Sequence, residues 1–204
     1  MLKLYFFPGA SSLSTLIALH EAGLEHEAIL ANIRTGKLAD GSDYRAINPL
    51  GYVPYLVLDN GDALHECSAI LLYAADQAPE KHLATPAGDM QRYHLIEWLN
   101  FIATELHKGF GALFLPDTPD AVRAQTIERL SQRYAYINRF LEGKSWLIGE
   151  HFSVADIYLF VTCRWCQFLG IDLSAHPNIT ACMARVAARP AVKAALDVEA
   201  AARL

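Results

Sequence analysis

Several short stretches gather polar groups suited to holding a charged small molecule. The first is Phe6-Phe7-Pro8-Gly9-Ala10-Ser11-Ser12-Leu13-Ser14-Thr15, an apolar run, a Pro-Gly break and a row of hydroxyls. Ser is a favoured N-cap residue, and the same turn presents a helix N-terminus and free hydroxyls to an anion. Both readings stand on this segment alone. A second is His65-Glu66-Cys67-Ser68-Ala69-Ile70, a carboxylate and small polar residues where an apolar run meets a helical one. Glu66 suits the positive end of a helix dipole. It could equally receive a ligand ammonium while the amides of Cys67 and Ser68 receive a carboxylate. In a third, Asn100, Thr104, His107 and Lys108 share one face of a helix at ordinary spacing, as ligand contacts or as a solvated polar face. Finally, the proline of Val53-Pro54-Tyr55 cannot donate to a strand ladder and so belongs at a strand's first position. Most such bonds are trans. A cis bond would turn the preceding amide outward and leave the Val53 N–H and C=O for an extended ligand.

The elements that must position these groups follow from pattern. Leu2 to Phe7 is short, aromatic-rich and stopped by Pro8-Gly9, which predicts a strand. Leu13, Leu16, Ile17 and His20 recur at helical spacing, and Gly23 closes that helix. Glu27 to Asn32 fits a second strand, parallel to the first through a right-handed crossover. Ser42 to Arg45 begins a short helix. Asn60-Gly61 separates the apolar runs Tyr55–Leu58 and Ala63–His65, a hairpin signal. Glu66 to Asp76 is helical again, giving the order β-α-β-α-β-β-α. Residues 79–88 read as a linker rich in Pro, Ala and charge. After it, Asp89 to Leu113, Pro119 to Leu141, Ser153 to Phe168, Pro177 to Ala188 and Pro190 to Ala201 are all helical in spacing. The expected division is an α/β domain at 1–78, the linker, and an all-α domain at 89–204.

Composition narrows the function classes. A net charge of −5 without a basic block argues against a nucleic-acid partner. No apolar run approaches the roughly 20 residues that span a bilayer. The four cysteines, Cys67, Cys163, Cys166 and Cys182, form no dense framework, so reduced thiols and a cytoplasmic location are expected. Cys163-Arg164-Trp165-Cys166 has C-x-x-C spacing but sits inside an apolar helix without a second pair, so packing is expected rather than metal. No histidine has metal-ligand spacing. Ser153-Val154-Ala155-Asp156 is a capping-box pattern.

Taken together, these segments resemble the cytosolic glutathione S-transferases, and most closely their bacterial beta class. The likeness rests on Tyr5 to Ser14, Asn48 to Pro54, Glu66 to Ile70, Glu97 to Asn100, Thr104 to Lys108, Phe152 to Phe160 and Arg185 to Val192. It implies a thioredoxin-like N-terminal domain that binds glutathione and a helical C-terminal domain that lines an electrophile pocket. It also implies a cis Val53-Pro54 bond, with Val53 and Pro54 at the cysteinyl unit. Glu66 and Cys67 would hold the γ-glutamyl end, and Ala10 would belong to the glutathione site. Asn100, His107 and Lys108 would reach the ligand from the helical domain. Two departures stand out. Ser11 occupies the position where the beta class usually carries cysteine. A lysine that serves the glycyl carboxylate in some members aligns with Gly36, leaving Arg34 or Lys37 as substitutes, of which Lys37 is the expected contact.

The function so implied is detoxification by a bacterial, homodimeric transferase, with glutathione as co-substrate, a hydrophobic electrophile as partner and no metal. Ser11 would donate to the thiolate, and His107 and Lys108 would add positive potential or donors. Peroxidase side activity is compatible with this. The alternative is a stress protein on the same fold that binds glutathione with little turnover. Reductive dehalogenation is disfavoured by the missing cysteine. Tyr5 is expected to pack near the site rather than act as its catalyst.

Overall fold

The apolar run at the start of the chain forms β1 (Leu2–Phe6), with only Lys3 exposed among its five residues. In the computed structural model, which describes residues 1–202, β1 lies at the centre of a five-stranded sheet. Its parallel neighbour is β2 (His26–Asn32), and β3 (Lys37–Leu38) pairs antiparallel to β2 at the edge. On the other side come β4 (Tyr55–Val57) and β5 (Ala63–His65), both antiparallel, with Tyr55 opposite His65. The sheet order is β3-β2-β1-β4-β5. The two-residue β3 has no periodic signal of its own, which is why the spacing rules pass over it.

The crossover between β1 and β2 is α1 (Ser12–Ala22), closed by Gly23 at φ 68°. That left-handed cap is a backbone state glycine reaches without the Cβ penalty. α2 (Cys67–Gln77) follows β5. The expected helix at Ser42–Arg45 is a single 3-10 turn, Tyr44–Ala46, with Asp43 Oδ1 accepting from the Arg45 amide. The element order is that of a thioredoxin-like domain.

Two compact units partition the chain: residues 1–83 with those from 188 onward, and residues 84–187. In the first, α1 is buried from Ser12 to Leu19. It packs against α2 and against α7 (Pro190–Ala201), a helix that follows the second unit in sequence yet belongs to the first. Arg189, just before α7, grips Glu21 of α1 with two nitrogens at 2.5 and 2.8 Å.

The second unit holds α3 (Met90–Phe101), α4 (Asp120–Phe140), α5 (Val154–Phe168) and α6 (Pro177–Ala187). α5 is its apolar axis, buried at nearly every position. The capping box at its start is present, and Asp156 also accepts from the Leu147 amide at 2.9 Å. The single helix expected over Asp89–Leu113 is instead three segments. After α3 the backbone widens into a π-helix, Ile102–His107, then tightens into a 3-10 helix, Lys108–Phe114. The tight end contains Gly109, where a Cβ would come 3.0 Å from Leu130 Cδ2, so glycine permits close approach to α4. Nothing in the residue spacing distinguishes 3.6 from wider turns here.

Candidate active site at the start of α1

The hydroxyl row after Pro8-Gly9 is used unequally. Ser12 Oγ accepts from the Phe7 amide at 3.1 Å and donates to the Phe7 carbonyl at 3.3 Å, stitching the turn to β1. Ser14 and Thr15 donate back to the carbonyls of Ser11 and Ser12, at 2.6 and 2.8 Å. None of these three hydroxyls caps the helix. Ser11 is the N-cap by position, yet its side chain makes no capping bond. At 4% exposure it is nearly enclosed. Its Oγ and the amides of Ser11 and Ser12 have no hydrogen-bond partner among the described residues. Three donors are thus left open at the positive end of an 11-residue helix. The Gly9 amide, one step earlier, is held by Glu199 Oε1 of α7 at 2.8 Å, and Ala10 closes the turn onto the Phe7 carbonyl.

Cys67 links this helix start to the next. Its buried thiol lies 3.8 Å from the Ser11 carbonyl, as a donor to it. Glu66, directly before it, is exposed and takes φ 73°, ψ 120°. Such a conformation costs a non-glycine residue about 1–3 kcal/mol and persists where surroundings impose it. It leaves the carboxylate at the mouth of α2, with no capping bond of its own.

The Val53-Pro54 bond is cis. Neither the N–H nor the C=O of Val53 enters a hydrogen bond among the described residues. The preceding carbonyl, on Tyr52, is instead doubly held: Tyr44 Oη donates at 2.7 Å and Asn48 Nδ2 at 2.8 Å. Burial pushes the Tyr44 hydroxyl up to about 12, so it remains a donor through the physiological range. Asn48, named in the sequence only within the run to Pro54, thus helps fix the peptide ahead of Val53. Tyr5 packs against Tyr44 and Tyr55, with ring centroids 5.4 and 6.2 Å away, and is buried in that cluster. Burial raises its pKa, away from thiol activation.

In the second unit, Asn100 and Thr104 are exposed and Thr104 Oγ1 donates to the Asn100 carbonyl at 3.0 Å. His107 ends the π segment, with Nδ1 2.6 Å from Tyr158 Oη and the ring edge-on to Trp165. Burial pushes its pKa down to about 4, with Lys108 adding to the effect. His107 is therefore a neutral imidazole at pH 7. The positive potential expected of it is absent, and what remains is a hydrogen-bonding ring. Lys108 is exposed beside a polar groove of about 570 Å³ shared with Gln125, Arg129 and Gln132. Cys163 and Cys166 are buried core residues whose thiols burial pushes well up. Among the described residues no cluster of His, Cys, Asp or Glu could hold a metal ion.

Lys37 is exposed on the edge strand β3. Arg34 lies over the Phe7 ring, 5.6 Å from its centroid. A third cation, Arg45, goes unnoticed in the sequence. A Cβ on Gly36 would meet its Nη1 at 2.7 Å, so Arg45 fills the space above the glycine that replaces the expected lysine.

Comparison with known proteins bears on this arrangement directly. Residues 10–77 match the model of the glutathione S-transferase N-terminal domain, and residues 101–190 that of the C-terminal domain. Glutathione S-transferase GstA of Escherichia coli O157:H7 is 42% identical over 198 residues, covering 97% of this chain and 98% of its own. A sphingomonad glutathione S-transferase solved with glutathione is 43% identical, with a TM-score of 0.95 over 98% of this chain and all of the other. The beta class enzyme of Sphingomonas chungbukensis is also 43% identical, with a TM-score of 0.93 over 97% of this chain and 98% of that one. Two matched domain models and relatives aligned along almost their whole length carry one conclusion: this chain belongs to the glutathione S-transferase family, and its likeness extends to the beta class.

Proposed function

We propose that the chain is a glutathione transferase in which Ser11 stabilises the glutathione thiolate for attack on a hydrophobic electrophile. The observation that carries this reading is the unpartnered Ser11 hydroxyl, with two open amides, at the start of α1. A free thiol has a pKa of about 8.5 and is only a few per cent ionised at pH 7. Bringing it down by about two units takes about 2.7 kcal/mol of preference for the anion. One or two charge-assisted hydrogen bonds, at about 1.5–3 kcal/mol each, supply that together with the helix dipole. The cysteinyl backbone of glutathione pairs with the open N–H and C=O of Val53. Its γ-glutamyl ammonium meets Glu66, and the α-carboxylate faces the start of α2. The thiolate then attacks an electrophilic carbon, and its S–C bond forms as the leaving group departs with its electron pair.

Asn100, His107 and Lys108 are proposed ligand contacts on the strength of the family likeness, His107 as an uncharged group. Replacing each by Ala should raise KM for glutathione, and an unchanged KM removes that residue from the list. We also propose a cytoplasmic homodimer, which cell fractionation and sedimentation analysis would contradict by finding it elsewhere or monomeric.

The decisive measurement is the ultraviolet thiolate absorbance of bound glutathione against pH. Ser11→Ala should raise the apparent pKa by about one to two units. An unchanged pKa removes Ser11 from the mechanism. Retention of glutathione without turnover of any aryl halide would instead make the chain a binding protein.

A further inference from the structure

The π segment of the second unit ends in a histidine whose ring is clamped by α5. His107 Nδ1 lies 2.6 Å from Tyr158 Oη. The imidazole stands edge-on to the Tyr158 ring and to the Trp165 indole, with centroids 5.9 and 5.0 Å away. Seven positions separate those two residues along α5, which places them on one face of that helix. Tyr158 is 1% exposed and Trp165 3%, so both belong to a packed interior that holds its rotamers. The other ring nitrogen, Nε2, makes no hydrogen bond to any described residue. It is also not among the buried side-chain atoms that lack a partner, so solvent reaches it. One nitrogen is engaged inside the fold and the other is open. A π turn is uncommon and recurs at functional sites; here it ends at the clamped ring.

We propose that Tyr158 is a positioning residue: its hydroxyl donates to His107 Nδ1 and fixes the proton of the neutral ring on Nε2, making the open nitrogen a hydrogen-bond donor to the bound ligand. The ligand part of this rests on the glutathione reading above, whereas the place of the proton does not. In a neutral imidazole one nitrogen donates and the other accepts, and the bond made by one decides the state of the other. Two observations set the direction. A phenol is a stronger acid than a neutral imidazole N–H, so the bond between them runs from oxygen to nitrogen. A separation of 2.6 Å also falls within the range of hydroxyl donors and below that of N–H donors. Burial keeps the ring neutral at pH 7, with its pKa pushed down to about 4. A ring in this state has no lone pair at Nε2. His107 therefore serves as an uncharged donor there and not as the base that takes the thiol proton.

The test joins nitrogen-15 NMR of the His107 ring to a cycle of Tyr158→Phe and His107→Ala. In the wild type at pH 7, Nε2 should give the signal of a protonated ring nitrogen and Nδ1 that of an unprotonated one. A proton found on Nδ1 overturns the assignment. Tyr158→Phe, which keeps the ring and removes only the hydroxyl, should raise KM for glutathione about three- to tenfold. Its two nitrogen signals should move toward each other as the second tautomer is populated. In the His107→Ala background the same substitution should leave KM unchanged. An equal rise in both backgrounds would show that Tyr158 acts through packing alone and overturns its positioning role. If the wild type binds no glutathione, the functional reading fails, while the nitrogen spectrum still decides where the proton lies.

Discussion

Two buried polar clusters of this molecule are treated in opposite ways. At the start of α5, Asp156 is fully buried and saturated: Leu147 N–H, Ser153 N–H and Ser153 Oγ all donate to it, each at 2.9 Å. At the start of α1, Ser11 is nearly as enclosed, yet its hydroxyl and two neighbouring amides are left open. Both are helix N-termini flanked by serine, so residue type does not separate them. Satisfaction does. The Ser11 hydroxyl is not among the fully buried side-chain atoms without a partner, so solvent reaches it and a bound group can take that solvent's place. The saturated cluster is closed by the fold itself, and the open one is the cluster we propose for glutathione.

Breaking each cluster in turn sharpens the contrast. The largest effect is expected at Asp156: replacement by Ala strands three donors and should cost about 3–5 kcal/mol in denaturant unfolding. A loss below about 1 kcal/mol would show that the cluster is not structural. Next comes pH. His107 has its folded pKa depressed from 6.5 to about 4, so its contribution is present above pH 6.5 and is lost as pH falls through 4. Asp156 has its folded pKa raised from 3.8 to about 6, so its contribution is present below pH 3.8 and is lost as pH rises through 6. Each is worth about 3 kcal/mol at full extent, with opposite sign over the same window. Wild-type stability from these two groups should be nearly level between pH 4 and 6.5. His107→Gln should then become more stable on acidification over that range, and a slope that stays level refutes the pairing. Smallest in stability is Ser11→Ala, which should move unfolding by less than about 0.5 kcal/mol because no bond is broken. Conjugation should nevertheless slow about ten- to a hundredfold. A comparable loss of stability would place Ser11 with Asp156.

The backbone plan was largely legible, because its signals are local: Pro8-Gly9 and Gly23 bracket α1, Asn60-Gly61 marks the hairpin, and Ser153 with Asp156 marks the start of α5. What stayed hidden depends on contacts distant in sequence or on sub-turn geometry. The π segment before His107 uses the same residue types as an α-helix. The depressed pKa of His107 comes from burial that spacing does not reveal. The hydroxyl row looked uniform until each partner was known: Ser12 bonds to Phe7, Ser14 and Thr15 turn back to the helix, and Ser11 alone of the row bonds to no other described residue through its side chain. Arg45 passed unremarked because residue spacing does not show that it lies against Gly36 and Gly51, one at each side of it in sequence.

The membership of α7 in the first unit has a consequence in time. Glu199 holds the Gly9 amide and Arg189 clasps Glu21, so the turn after β1 waits for a side chain made 190 residues later. At about 5–20 residues per second, synthesis places on the order of ten seconds or more between them. Until then one flank of α1 is bare and the turn bearing Ser11 lacks its outer tether. A nascent chain should therefore carry its sheet before it carries a finished turn at Ser11.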